Sequence, residues 1–115
     1  MNLDWKTFTN ELSDGLRELR GGTPEVMKGF SAIAQAALKD DALDVKTKEL
    51  IALAISVAMR CDDCIGFHAK AAFDRGASRE EVLETLGMAI YMGAGPSVMY
   101  AGHAIEAFDQ FGKSG

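Results

Sequence analysis

Residues 48–68 read Lys-Glu-Leu-Ile-Ala-Leu-Ala-Ile-Ser-Val-Ala-Met-Arg-Cys-Asp-Asp-Cys-Ile-Gly-Phe-His. From Leu50 to Met59 only Ser56 is polar, so the segment lacks the strict in-out alternation of a half-buried strand. It is also about half the length that crossing a bilayer requires, roughly 20 residues. Residues 86–92, Leu-Gly-Met-Ala-Ile-Tyr-Met, repeat the pattern. A helix that is apolar nearly all round has to be covered on all sides. A chain of 115 residues can surround one such helix but hardly two, so the pattern predicts an obligate homo-oligomer.

Outward from this stretch the chain reads as all-α, with about six helices in a single domain over 1–115. Val, Ile and Thr are too sparse for a sheet-rich domain. Proline occurs only at 24 and 96. A first helix over about 4–20 carries Trp5, Phe8, Leu12, Leu16 and Leu19 on one stripe, and Gly21-Gly22 is expected to stop it. Thr23-Pro24 reads as an N-cap followed by proline at the first helical position. That second helix runs to about Leu38 and is expected to bury Val26, Phe30, Ile33, Ala34 and Ala37. Asp44 caps the third helix, which ends near Arg60. A fourth runs from the cysteines to Gly76. Ser78 with Glu81 forms a capping box for a fifth, which Gly93-Ala94-Gly95 ends, and Pro96 starts the last.

The composition excludes several functions. The formal net charge is −5, whereas sequence-independent nucleic-acid binding needs a basic surface to neutralise phosphates, and a polybasic membrane anchor needs the same. The N-terminus, Met-Asn-Leu-Asp-Trp-Lys, has no basic stretch followed by an apolar run. The expectation is a cytoplasmic protein that binds neither nucleic acid nor membrane. No Gly-rich loop follows a strand, so a nucleotide site is not supported.

Two cysteines in such a chain point to redox or metal chemistry before a structural disulfide. Cys61 and Cys64 form a Cys-x-x-Cys pair flanked by Arg60, Asp62 and Asp63, and His68 follows Cys64 by four residues, on the same face of a helix one turn along. A thiol at a helix N-terminus is biased towards thiolate by the free N–H groups and the dipole. A nearby imidazole can take up its proton, and two thiols at this spacing can close a small disulfide ring. The same three residues are acceptable zinc ligands. A closed zinc site needs a fourth, however, and only Glu49 or His103 remain, brought in from afar. Glu49 by itself reads as an exposed residue in the charged first turn Lys46-Thr47-Lys48-Glu49. His103 reads as a packed or interface histidine, and Tyr91 and Tyr100 as core or interface packing residues before hydrogen-bonding groups near a site.

The run Lys48–Ala54 with Arg60–His68, followed by Ala69–Phe73 and Gly76–Val82, resembles the alkylhydroperoxidase-D-like branch of the carboxymuconolactone decarboxylase family. The likeness spans about residues 20–110, and its most specific mark is Glu49 standing twelve residues before Cys61 in Glu-x(11)-Cys-x-x-Cys-x-x-x-His. The resemblance implies an all-α subunit assembling as trimers or hexamers. It implies that Glu49 joins Cys61, Cys64 and His68 in a proton relay, so that Glu49 becomes a site residue. By the same likeness Cys64 attacks a small hydroperoxide and Cys61 condenses with the resulting sulfenic acid. Thiol chemistry alone leaves the reverse assignment open. The implied activity is that of a peroxiredoxin-type thiol peroxidase or disulfide reductase, with no cofactor beyond its own dithiol and no metal, recharged by a lipoyl protein or another dithiol carrier. Peroxide-reducing relatives often carry a histidine just before the second cysteine. This chain has Asp63 there, and a carboxylate disfavours a neighbouring thiolate. The alternatives are a non-redox lyase or isomerase of the lactone-decarboxylase type, whose members generally lack the cysteine pair, and a zinc-binding structural protein.

Overall fold

The computed structural model describes residues 3–113. Five helices follow one another: α1 (Trp5–Gly22), α2 (Pro24–Ala37), α3 (Val45–Ala58), α4 (Asp62–Asp74) and α5 (Arg79–Phe111). No strand occurs among the described residues, in agreement with the expected all-α class.

The expected fifth and sixth helices are the two limbs of α5, which meet at a sharp break at the expected place. Ala94 departs from helical geometry (φ 57°, ψ −143°) at the Gly-Ala-Gly stretch, and Pro96 then lies in the first turn of the second limb, where its missing N–H costs little. A Cβ on Gly93 would run into the Ser97 side chain, so the bend needs glycine there. The other helix starts follow the local chemistry. Asp4 accepts from the N–H groups of Lys6 and Thr7, and Asp44 from Thr47. Ser78 and Glu81 satisfy each other's backbone in a full capping box. Thr23 differs from expectation. Its hydroxyl donates back to the Leu19 carbonyl at 2.9 Å, so it closes α1 and makes no side-chain cap for α2, and α1 runs through Gly21-Gly22.

The body is α3 packed against both α4 and α5. Leu53 of α3, Ile65 of α4 and Val82 of α5 are fully buried where the three meet, each worth about 1.5–3 kcal/mol of burial. Small residues let the backbones approach: Ala69 and Ala72 on α4, Ala104 and Ala107 on α5. Helix α1 joins through its first two turns. Trp5 is fully buried, stands edge-on to Phe8, and lies so close to Gly66 that a Cβ there would come within 3.3 Å of its ring and 2.8 Å of the Thr9 methyl. Gln110 ties the start of α1 to the end of α5, accepting from the Trp5 N–H at 2.7 Å and donating to the Leu3 carbonyl at 2.9 Å.

Helix α2 overturns an expectation. It buries no residue. Val26, Phe30 and Ile33 are 71%, 63% and 67% exposed, because α2 is in close contact only with α1 and stands off from the body. The α1 stripe likewise runs from a buried Trp5 to an exposed Leu19. Helices α3 and α5 are covered on one face only: Ile51, Ile55 and Met59 on one, and Met88, Tyr91 and Met92 on the other, lie open. Among the described residues no helix is long and apolar enough to cross a membrane.

Candidate active site at the start of helix α4

The chain leaves α3 through Met59 and turns at Arg60, which adopts a left-handed conformation (φ 57°), an uncommon one for a residue with a side chain. The turn is held by the Cys61 N–H donating to the Ser56 carbonyl at 3.0 Å. Cys61 is then the N-cap of α4, with extended dihedrals (φ −112°, ψ 94°), and its sulfur accepts from the Cys64 N–H. A side-chain acceptor at this place satisfies one of the free donors of the first turn. Because the N-cap and the third helical residue face each other across that turn, the two cysteines lie 5.3 Å apart at Cα and are joined as a disulfide, within the ordinary span for such a bond.

One turn further along α4 stands His68, whose Nδ1 is 3.1 Å from Glu49 Oε1 of α3. Glu49 is only 5% exposed, which corrects its reading as a residue of an open charged turn: α4 crosses over that end of α3 and covers it. A buried carboxylate is costly without a hydrogen-bonding partner, and His68 is that partner. In the tautomer with the proton on Nδ1, His68 donates to the Glu49 carboxylate and Nε2 faces other partners. The four residues Glu49, Cys61, Cys64 and His68 are thus gathered within one corner of α3 and α4.

An apolar cleft of about 530 Å³ opens onto this corner. Its walls include Phe8, Leu12 and Leu16 of α1, Phe30 of α2 and Phe67 of α4, and Cys64 and His68 line it whereas Cys61 does not. A second cleft of about 380 Å³ shares Phe30 and His68 and runs along Ile51 and Ile55 of α3. These walls were not legible in the sequence, since they depend on how α1 and α2 lean over α4.

The first turn of α4 holds a further pair. Asp62, which the sequence marked only as a charged neighbour of the cysteines, has Oδ1 at 2.7 Å from His103 Nδ1 of α5, and the His103 ring stacks obliquely 4.9 Å from that of Tyr100. The two residues are 41 positions apart, and no local pattern could have joined them. Tyr91 is 78% exposed, so of its two readings, core or interface packing, the core one does not hold. Among the described residues no group of three or more His, Cys, Asp or Glu side chains could hold a metal ion.

A sequence model described as the carboxymuconolactone decarboxylase family matches residues 24–107. An uncharacterised protein of Cupriavidus necator is 39% identical over 95% of this chain and 96% of its own length. One from Haemophilus influenzae is 40% identical over 94% and 96%. Among solved structures, apo-lpg0406, a carboxymuconolactone decarboxylase family protein from Legionella pneumophila, superposes with a TM-score of 0.92 at 55% identity, covering 95% of this chain and 97% of that one. A family protein from Thermotoga maritima, put forward as a candidate in the antioxidative response, superposes with a TM-score of 0.77 at 32% identity over 87% and 88%.

Proposed function

The chain belongs to the carboxymuconolactone decarboxylase family, and on that premise we propose that it is a dithiol oxidoreductase that reduces hydroperoxides through Cys64 and Cys61. The observation that carries this reading is the Cys61–Cys64 disulfide at the N-terminus of α4, with Cys64 and His68 lining one cleft and Glu49 bonded to His68. The Thermotoga maritima neighbour's suggested antioxidative role points the same way.

In the reduced protein, His68 takes the Cys64 thiol proton on Nε2, while Glu49 holds the ring through Nδ1. The thiolate attacks the outer oxygen of the hydroperoxide, the O–O bond breaks, and the alkoxide leaves as an alcohol with that proton. Cys64, oxidised by two electrons, is now a sulfenic acid. Cys61 attacks its sulfur, the S–S bond forms, and the hydroxyl departs as water carrying the Cys61 proton. A dithiol donor, of the lipoyl-protein type or another carrier, returns two electrons and two protons. Because Cys64 faces the cleft and Cys61 does not, Cys64 is assigned as the attacking thiol. The broad apolar exposure of α2, α3 and α5 supports assembly as a homo-oligomer, a trimer or hexamer, since patches of this extent mark interaction surfaces. An acidic protein working through a dithiol suits the reducing cytoplasm.

The test is a free-thiol titration of the reduced protein before and after about one equivalent of hydroperoxide, with the intact mass recorded. Loss of both thiols and two mass units is expected. Cys64→Ser should abolish peroxide consumption, and Cys61→Ser should leave a sulfenic acid that a dimedone probe captures. Two untouched thiols, or full activity in both variants, would sink the reading.

A further inference from the structure

Two histidine–carboxylate pairs flank the cysteines, with opposite polarity. On the Cys64 side the histidine is on α4 and the carboxylate on α3; on the Cys61 side the carboxylate, Asp62, is on α4 and the histidine, His103, comes from α5. The proposed reaction uses the first pair and leaves the second without a role.

We propose that His103 is a positioning residue for Cys61: by holding the Asp62 carboxylate it fixes the first turn of α4 and draws that carboxylate's charge away from the Cys61 thiolate. The inference rests on the dithiol reading above.

Three contacts hold the backbone around Cys61. Its N–H donates to Ser56 at 3.0 Å, its carbonyl accepts from Ile65 at 2.9 Å, and the next residue is anchored by the 2.7 Å contact to His103. Opening and closing the disulfide is then a matter of side-chain rotation, with the two sulfurs kept in reach of each other. The electrostatics run in the same direction. Helix α4 begins with two consecutive carboxylates, Asp62 and Asp63, which suit the helix dipole but oppose a thiolate at the same end. Asp63 is exposed, and water screens it. The Asp62 side chain is about seven-tenths covered and that of His103 about three-quarters, the latter beneath the rings of Tyr100 and Trp5. There the imidazole N–H is the group that satisfies the carboxylate. The other charged groups at this turn are Arg60, on the turn itself, and the Glu49–His68 pair, which faces Cys64.

The experiment compares the full chain, His103→Gln, Asp62→Asn and the double variant, all reduced. It measures the pH midpoint of iodoacetamide alkylation at each cysteine by mass spectrometry, and the dithiol–disulfide ratio in a lipoamide/dihydrolipoamide mixture. His103→Gln should raise the Cys61 midpoint by about half a pH unit, and Asp62→Asn should lower it by a similar amount, as expected of a partly screened neighbouring charge. The double variant should match Asp62→Asn, because without the carboxylate the histidine has nothing to hold. Cys64 should move less in every case. Mere loosening of the helix end would move both single variants in one direction, and that result would overturn the proposal, as would an unshifted Cys61. If His103→Gln does not fold, His103→Phe, which fills the same place without a hydrogen-bonding group, is read by the same expected rise. Should the lipoamide mixture fail to interconvert dithiol and disulfide in the unaltered chain, the dithiol reading itself falls; interconversion with unmoved midpoints removes only the role of His103.

Discussion

Helices α2 and α3 are each 14 residues long and similarly rich in apolar residues, yet α3 lies at the centre of the body and α2 stands beside it with nothing buried. The difference is in what each can reach. Helix α3 meets both α4 and α5, which cover Glu49, Leu53, Ser56 and Val57. Helix α2 meets only α1, and its Val26, Phe30 and Ile33 face outward. An apolar stripe says that a helix needs a cover but not whose chain supplies it. One face of α3 is answered from within, with Ile51 and Ile55 left open on the other, whereas none of the α2 stripe is buried within the subunit, and in the proposed assembly a second copy would cover it. The smaller cleft, of about 380 Å³, lies between the two, and Phe30 forms part of its wall as it does of the larger cleft beside Cys64.

The largest effect should come from cutting into the inner cover. Leu53→Ala removes a fully buried side chain at the meeting of three helices and should cost about 3 kcal/mol in urea unfolding. A loss below about 1 kcal/mol would mean that α3 is less central than its packing implies. The outer cover should respond in another observable. Ile33→Ser removes an exposed apolar group, so the subunit's own fold should lose no more than about 0.5 kcal/mol, while sedimentation at micromolar concentration should show the assembly shifting towards smaller species. An unchanged assembly would erase the distinction between the two helices.

The smallest effect concerns how the start of α3 is fastened. The Lys46 ammonium, bonded to Glu81 at 2.8 Å, holds the Glu81 carboxyl below the usual range, with the Ser78 backbone N–H helping. The Asp44 carboxyl is lowered by its hydrogen bonds to Thr47. A lowered folded-state value stabilises the fold fully above the free carboxylate range, near pH 4, and that stability is lost as pH falls through the folded values. Lys46 is raised by the same bond to Glu81, so its contribution persists until pH rises beyond the free lysine value of about 10.4. Melting curves should therefore fall more steeply below pH 4 in the unaltered chain than in Glu81→Gln. Parallel curves would show that the α3–α5 ion pair contributes nothing, as many exposed pairs do.

Most of the element list was legible because its signals are local. Asp44, the Ser78–Glu81 box and Pro24 each act within one helical turn, and the structure uses them where they stand. Thr23 stands at the N-cap of α2 as read, but its hydroxyl had two backbone groups within reach, one behind and one ahead, and local pattern does not choose between them. The Gly93–Gly95 stretch and Pro96 were legible in the same local way, as the end of one limb of α5 and the start of the next. The exposure of α2 could not be read, since an apolar stripe does not say whether the fold brings another helix over it. At the site, Cys61, Cys64 and His68 were visible through spacing alone, being on a single helix end. Glu49 looked exposed from its own turn, and only the family likeness marked it; its burial depends on α4 crossing α3. Asp62 and His103 meet only through the packing of α4 on α5.

The clasp made by Gln110 has a topological consequence. One amide side chain accepts from the Trp5 N–H and donates to the Leu3 carbonyl, and nearby Lys6 reaches the Lys113 carbonyl. Residues 3–6 and 110–113 are therefore stitched into a single knot, and the path of the backbone through the helices is a closed circuit in all but covalent linkage. In such a circuit, fraying of α1's first turn and of α5's last is one event rather than two. Trp5, which covers Gly66 two residues beyond Cys64, is held at a seam where the circuit shuts.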